Sequence, residues 1–376
     1  MVTKKLSVGI IFNFSRNWFG GINYIINTIK TLNSLPLNEK PELTVFYSKQ
    51  LYTELDKIKI LNYEKITFKQ LNYILPRSLI YLFSVFLKKN YFFKKEFENF
   101  SSIFPFNDLP AYKNTNVKLV SWIPDFQHKF YPNYFSKIHL FFREFKFKKI
   151  VINSDLIVLS SKDSNDHFIE FYKSNKSIVI PFVSFVDYAE SANFKSIKNK
   201  YKLSTVYFLI PNQFYEHKNH IITVKALKDL IIKYPKIQFV YTGKQDSFEK
   251  KYIRVFNDFI KNNGLINNIV FTGFINREEQ IALMINSKAV IQPSLFEGWN
   301  TSVEDCKTLG VDVIASDIKV HREQLGKASL LFKKHSKEDL VNLVTLKMQN
   351  KKISNFNFSL EKNSKSVANK LINILK

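Results

Sequence analysis

The chain has one cysteine, Cys306, among its 376 residues. Neither a disulfide framework nor a cysteine-rich zinc site can be built from it, which fits a reducing compartment and makes the cytosol the default location. Nothing near Met1 reads as a secretory leader, since Met1 to Lys5 is followed by "LSVGIIF", too short for a leader's apolar core and without a small-residue cleavage site. No apolar run is long enough to cross a bilayer: the longest, "LIYLFSVFL" at Leu79 to Leu87, is about half a spanning helix. Short-period repeats, long low-complexity tracts, an RNA-type K/R-G-F-G-F-V box and a convincing D-x-D metal motif are absent as well. Acid is the scarcer charge, with 32 Asp plus Glu against 56 Lys plus Arg, a formal charge of +24. Such an excess attracts anions over long range. A nucleic acid, an acidic membrane surface and a phosphorylated substrate all qualify as partners, and base-biased codon usage in a chain rich in Lys, Asn, Ile and Phe is the plain alternative.

What is present suffices for two cores, since 45% of the residues are apolar. A strand-like run at Leu6 to Phe12 leads through a turn holding Gly20 and Gly21 into Ile22, Ile25, Ile26, Ile29 and Leu32 at helical spacing. Further strands are expected at Leu43 to Tyr47, Val117 to Ile123 and Leu156 to Leu159. A second series runs "VYFLIP", "IQFVYTG", "NIVFTGF", "AVIQPS", "VDVIAS", each separated by a helical pattern. Strand and helix in alternation predict parallel sheets covered by helices, twice over. The polar, lysine-rich stretch Ser191 to Thr205 is read as the linker, which gives an N-terminal domain over 1–195, a C-terminal domain over 196–358 and a closing helix over 359–376. Two stretches, 79–100 and 138–150, mix aromatics with lysine. They read either as faces that rest in a bilayer interface or as core aromatics with solvated lysines.

The densest chemistry lies in "PSLFEGWNTSVEDCKTLGVDVIAS", Pro293 to Ser316. Ligands of open parallel sheets sit beyond the carboxyl ends of strands, and Glu297 to Thr301 occupies such a loop, between "AVIQPS" and a helix. Thr301-x-x-Glu304 has the form of a capping box and Gly310 stands where a C-terminal cap belongs. The first amides of that helix therefore offer donors and partial positive charge to a diphosphate. Gly298 lets the backbone approach closely, and Glu297 and Asp305 are acceptors suited to pairs of sugar or ribose hydroxyls.

This segment, extended through "DIKVHREQL", resembles the donor-binding segment of retaining GT-B glycosyltransferases of the family 4 (group 1) type. The resemblance extends over nearly the whole chain and is carried by a few blocks: "GGINYIINTIKTL", "SWIPDFQHKFYP", "FLIPNQFYEHKNHIITVKAL", "FVYTG" and "VFTGFINREEQIALMINSKAVIQPS". It implies an α/β chain of two Rossmann-like parallel-sheet domains facing each other across a cleft, with the C-terminal helix returning toward the N-domain. It also implies transfer of a sugar from a UDP- or GDP-linked donor to a glycan or lipid-linked acceptor, with retention, without metal or other cofactor, and without nucleic acid as partner. Bacterial surface polysaccharide synthesis, in the cytoplasm or on the inner face of an anionic plasma membrane, is the setting that follows.

By the same resemblance, the two acids of the family's E-x7-E signature map onto Glu297, for sugar hydroxyls, and Asp305, for ribose, with Glu304 one position earlier leaving open which of the two reaches it. Gly298, Trp299, Asn300 and Thr301 would lie along the sugar and diphosphate. The diphosphate clamp maps onto Gln213, where an arginine is usual, and Lys218; the shortfall in charge would pass to the helix dipole, to the Gly20–Gly21 loop or to Arg322. Gly243 and Gly273 end the strands beside the donor. The catalytic-loop His-Asp pair maps onto Pro124-Asp125, so the histidine is missing there; His128 is its substitute or a packing residue. Asp125, His128, Lys218 and Glu297 are the expected catalytic set. An epimerase or phosphorylase of the same fold, or a non-catalytic basic module, are the competing readings.

Overall fold

Alternation of buried strand and covering helix produces two parallel sheets in the computed structural model, which describes residues 5–16, 18–72, 79, 95–107, 116–186, 188, 191–245, 250–326, 330–349 and 358–376. The chain divides into one unit of Met1–Val183 with Leu360–Lys376 and another of Ser184–Ser359.

In the first unit, strands β1 (Ser7–Phe12), β2 (Glu42–Tyr47), β3 (Ile66–Gln70), β4 (Ser102–Phe104), β5 (Lys118–Trp122), β6 (Leu156–Leu159) and β7 (Ser177–Val179) form a seven-stranded sheet in the order β3-β2-β1-β4-β5-β6-β7. β1 and β2 pair in parallel from Ser7 opposite Glu42 to Phe12 opposite Tyr47. Helices α1 (Phe19–Asn33), α2 (Lys137–Asn153) and α3 (Lys162–Tyr172) follow β1, β5 and β6. The helix Leu360–Leu375 returns to this unit, where the Ser102 hydroxyl donates to the Leu375 carbonyl at 2.8 Å.

The second unit repeats the plan with β8 (Tyr207–Pro211), β9 (Gln238–Thr242), β10 (Ile269–Gly273), β11 (Val290–Gln292), β12 (Val313–Ser316) and β13 (Leu330–Phe332), ordered β10-β9-β8-β11-β12-β13. Its helices are α4 (Phe194–Tyr201), α5 (His220–Lys233), α6 (Lys250–Asn262), α7 (Arg277–Asn286), α8 (Thr301–Leu309), α9 (Lys319–Leu325) and α10 (Lys337–Gln349). Both faces of the sheet are buried. Alternate residues feed two cores, with Phe208, Ile210, Phe239, Tyr241, Ile291 and Ile314 in one. Tyr207, Leu209, Val240, Val290, Val313 and Ala315 lie in the other. That period of two explains why these strands read as continuous apolar runs.

The stretch expected to link the domains is instead helical. α4 carries Phe194, Ile197 and Tyr201 against the core around Tyr207 and Leu209, so the division falls after Val183 and not after 195. An amphipathic helix whose outer face is lysine, serine and asparagine has the composition of a linker, and only the three spaced apolar residues distinguish it. Four strands escape sequence reading: β4, β7 and β13 have three residues each, and β3 alternates toward solvent at the sheet edge. Most of the aromatic stretch 79–100 lies outside the described residues. In the other, 138–150, Phe147 and Ile150 are buried while Ile138, Phe141 and Phe142 are exposed. Among the described residues no helix is long and apolar enough to cross a membrane.

Candidate functional site

Strand order reverses between β8 and β11: β9 and β10 lie on one side, β12 and β13 on the other. The loops leaving the carboxyl ends of β8 and β11, residues 212–219 and 293–300, therefore diverge around a switch point, where open sheets bind ligands. Asn219, in left-handed geometry at φ 54°, ties them together by donating from its amide to the carbonyls of Pro293 (3.2 Å) and Lys334 (3.0 Å).

Within these loops Lys218 Nζ donates to Glu297 Oε1 at 2.6 Å. The same oxygen accepts from the Ser294 hydroxyl at 2.7 Å and the Asn300 amide at 3.2 Å. Burial pushes the Glu297 carboxyl up, yet the Lys218 ammonium and the hydrogen bonds from Lys218 and Ser294 outweigh it and hold the group below its usual range, ionised. Asn300 is the hub of the site. Its Oδ1 accepts from Val303 N at 3.2 Å, its Nδ2 also reaches Gln292 Oε1 at 3.1 Å, and its backbone exchanges two bonds with the Gln324 amide (3.2 and 2.9 Å). The cap of α8 is thus Asn300 and not Thr301, a correction with a simple cause: asparagine caps at least as well as threonine and here is already fixed in the extended region by its other bonds. Glu304 consequently does not close a capping box. Gly310 ends the helix in left-handed geometry at φ 64°, as expected.

His321, fully buried, bonds through Nδ1 to the Ser316 carbonyl at 2.9 Å and through Nε2 to the Asn300 amide at 3.4 Å. Nδ1 must donate and Nε2 accept, so the ring is neutral, consistent with burial lowering its pKa. Gln292, Ser294, His321 and Gln324 had no signal in the sequence beyond their place at the end of β11, just after it and in α9.

The other predicted residues are placed as follows. Gln213 accepts from the Lys244 amide at 3.1 Å, bracing the turn after β9. Gly243 has φ 108°, and a Cβ there would lie 2.6 Å from the Asn212 carbonyl, so glycine is required by backbone approach; Gly273 accepts from Gly243 N at 2.8 Å. Gly298 is buried and Trp299 and Thr301 are half-buried at the start of α8. Asp305 is not open to hydroxyls: Arg277 clamps both of its oxygens at 2.7 Å and the Ser184 hydroxyl donates to one. Glu304 is 2% exposed, bonded to Lys307 (3.0 and 3.1 Å) and Gln324 (2.9 Å); its pKa is raised because burial outweighs Lys307. Arg322 is bound to Asp317 and mostly exposed.

In the first unit, Gly20 and Gly21 open α1 beneath Trp18, and a Cβ on Gly21 would meet the Trp18 ring at 2.6 Å. Trp18 stacks on Trp122 (5.7 Å), which stacks on Tyr24 (3.7 Å). Asp125, half-buried after β5, accepts from Gln127 N at 2.9 Å and faces Arg143 at 3.6 Å. His128 is 3% exposed, edge-on to Phe147 and 3.4 Å from Glu144, and burial together with Arg143 lowers its pKa to about 4. These are the surroundings of a packing histidine. Among the described residues no group of three or more His, Cys, Asp and Glu could hold a metal ion.

The model of the family "Glycosyl transferases group 1" matches residues 192–367, almost the whole second unit and part of the C-terminal helix. The two Rossmann-like sheets make the GT-B fold, shared with solved structures at low identity. Anabaena Alr3699/HepE in complex with UDP and glucose has TM-score 0.64 and 16% identity, with 97% of this chain and 96% of that one covered. The glycosyltransferase from Rickettsia africae ESF-5 gives TM-score 0.64, 16% identity and coverages of 99% and 96%. Sucrose-phosphate synthase from Thermosynechococcus elongatus gives 0.64, 14%, 99% and 96%. No curated protein matches the chain in sequence.

Proposed function

We propose that this chain is a glycosyltransferase whose donor, a nucleoside-diphosphate sugar, binds at the loops after β8 and β11. The observation that carries the reading is the Lys218–Glu297 pair, 2.6 Å apart and nearly enclosed at the switch point, beside the N-terminus of α8 and inside the segment matched by the family model. Glycosyl departure builds negative charge on the leaving phosphate. The Lys218 ammonium has three protons and uses one on Glu297, so two remain for phosphate oxygens. Among the described residues the bonds to Glu297 land on Oε1, which leaves Oε2 to accept from sugar hydroxyls. Gln213 contributes only hydrogen bonding on the opposite side of the clamp.

Glu304 and Asp305, engaged by Lys307 and Arg277, shape the start of α8; a ribose reaches either only by displacing its partner. On the acceptor side Asp125 takes the role that the enclosed His128 does not. Transfer is with retention, the departing phosphate accepting the proton of the acceptor hydroxyl, and needs no metal ion. The acceptor is a glycan or lipid-linked glycan of a bacterial surface polysaccharide. UDP is favoured over GDP because HepE, of the same fold, is solved with UDP and with UDP-glucose.

The test is a thermal-shift panel of UDP, GDP and ADP, each with and without excess EDTA, followed by donor turnover with and without acceptor. A nucleoside diphosphate at about one hundred times its Kd should stabilise the protein by roughly 2.7 kcal/mol. No shift with any of the three, or one that disappears with EDTA, removes the assignment or its metal independence respectively.

A further inference from the structure

The first sheet has a switch point of its own. From β1 the strands β2 and β3 lie on one side and β4 to β7 on the other, so the segments leaving the carboxyl ends of β1 and β4 part there. The segment after β1 holds Trp18, and several contacts fix it. Its amide donates to the Ser15 carbonyl at 2.9 Å, its carbonyl accepts from Ile22 N at 3.3 Å, and the Gln50 amide donates to the Phe14 carbonyl at 2.6 Å. The indole stands edge-on to Phe14, with ring centres 5.1 Å apart, and nearly parallel to Trp122, at 11° and 5.7 Å. Trp122 in turn lies face to face with Tyr24 at 3.7 Å and 2°. Asn107, after β4, exchanges two bonds with the Trp122 backbone (2.8 and 3.0 Å) and so fixes the end of β5.

Gly21 lies in the first turn of α1 without positive φ, so its backbone geometry does not demand a glycine. The indole does, because Cε3 and Cζ3 of Trp18 are 2.6 Å from where a Cβ would stand. A poor helix former therefore opens the helix in order to seat a tryptophan. That tryptophan is not sealed into a core: it is 39% exposed, against 3% for Trp122 and 2% for Tyr24. A large aromatic held rigidly and open to solvent, at the carboxyl ends of a parallel sheet, suits a ligand with an apolar face and polar edges. A pyranose ring is such a ligand. Its axial C–H groups carry slight positive charge and match the negative face of an indole, while its hydroxyls stay at the rim for hydrogen bonds. Asp125 stands three residues beyond Trp122 at the end of β5. Gln127 N and Arg143 both meet its Oδ1, so among the described residues Oδ2 takes no bond and is placed to accept from a hydroxyl. We infer that Trp18 is the stacking platform for a sugar ring of the acceptor, with Asp125 accepting from one of that ring's hydroxyls. The inference rests on the proposed glycosyl transfer and adds to it a subsite within the first unit, apart from the donor loops.

The test is saturation-transfer NMR of the full chain with the methyl glycosides of glucose, galactose, mannose and N-acetylglucosamine, run beside the melting shift with UDP. At least one glycoside should receive saturation on the C–H hydrogens of one ring face. Trp18→Ala should weaken its binding by roughly tenfold, whereas Trp18→Phe, which keeps an aromatic face, should retain most of it. Gly21→Ala should weaken it as much as Trp18→Ala does, with the tryptophan still present but displaced. All three variants should keep the wild-type UDP shift, which reads the donor site. The inference is overturned if no glycoside is saturated, or if Trp18→Ala binds the glycoside as well as wild type does. It is also overturned if Trp18→Ala loses the UDP shift instead, which would give the indole to the nucleotide. A wild-type chain that binds a glycoside through Trp18 but ignores UDP, GDP and ADP would support the platform and sink the donor reading.

Discussion

In the proposed donor site Lys218 and Glu297 stand 2.6 Å apart, and the lysine holds the carboxyl of Glu297 ionised. Without the ammonium, Glu297 would lose a 2.6 Å bond and its nearest positive charge while burial continued to push its carboxyl up. Lys218→Ala is therefore expected to lower kcat/KM by roughly 10²-fold or more. It should also move the acid limb of the pH–rate profile upward, as Glu297 protonates at higher pH. Lys218→Arg should restore the position of that limb more fully than the rate, because a planar fork does not fit a point-charge site. An unchanged kcat/KM in Lys218→Ala would remove Lys218 from the clamp. Glu297 drew notice in the sequence as a carboxylate next to a glycine after a strand, whereas Lys218 was singled out only by the family resemblance; the structure brings the two together. Asp305 and His128 were not legible in the same way. Asp305 reads as an acceptor until Arg277 is found on it, and His128 reads equally as a base or as a packing residue until Phe147 is found against it.

The start of α8 shows how a local pattern and a tertiary network compete for one helix end. Thr301-x-x-Glu304 satisfies the capping rule, but Asn300 caps the helix because Gln292, Glu297, His321 and Gln324 hold it in place, and those contacts come from β11, its own loop and α9. Asn300 thus does two things that substitution separates. Asn300→Ala removes the cap, at about 1 kcal/mol, and leaves buried acceptors short of a donor, at about 1–3 kcal/mol more. Asn300→Asp keeps a capping oxygen but places a second carboxylate where the amide now donates to Glu297 at 3.2 Å. Urea unfolding should therefore show both variants less stable than wild type with unchanged m values, and nucleotide binding weakened more in Asn300→Asp. An Asn300→Asp protein as stable as wild type would show that the network contributes little beyond the cap. The short strands β4, β7 and β13 went unread for a related reason: three residues carry too little periodicity, and it is pairing with already formed neighbours that makes them strands.

For the molecule as a whole, the repeated strand–helix alternation made the two-sheet architecture readable, because a buried parallel strand has to be apolar on both faces. What it could not show was where one unit ends, since α4 hides its apolar side among lysines. Burial on this scale also fixes how stability depends on pH. Four histidines, His128, His217, His220 and His321, are 0–8% exposed, and burial is the first cause of a lowered pKa in each, to about 4, 3 and 3 in the first three. Unfolded histidine titrates near 6.5, so below that value the unfolded chain binds protons that the folded chain refuses. Stability is then lost as pH falls from about 6.5 toward 4, on the order of 1 kcal/mol per pH unit for each histidine at most, and is level above 7. The carboxylates with lowered pKa, among them Glu297 and Glu144, act in the same direction but only once pH drops toward their ordinary value of 4.5, while Glu304, raised by burial, protonates earlier in the folded chain and offsets part of the decline that the four histidines produce. Urea unfolding from pH 7.5 to 5 should show the decline, and His220→Phe, at a ring already stacked 4.3 Å from Phe214, should reduce its slope by one proton's share. Stability that stays flat from 7 to 5 would mean that these rings find water or a proton acceptor in the native protein after all.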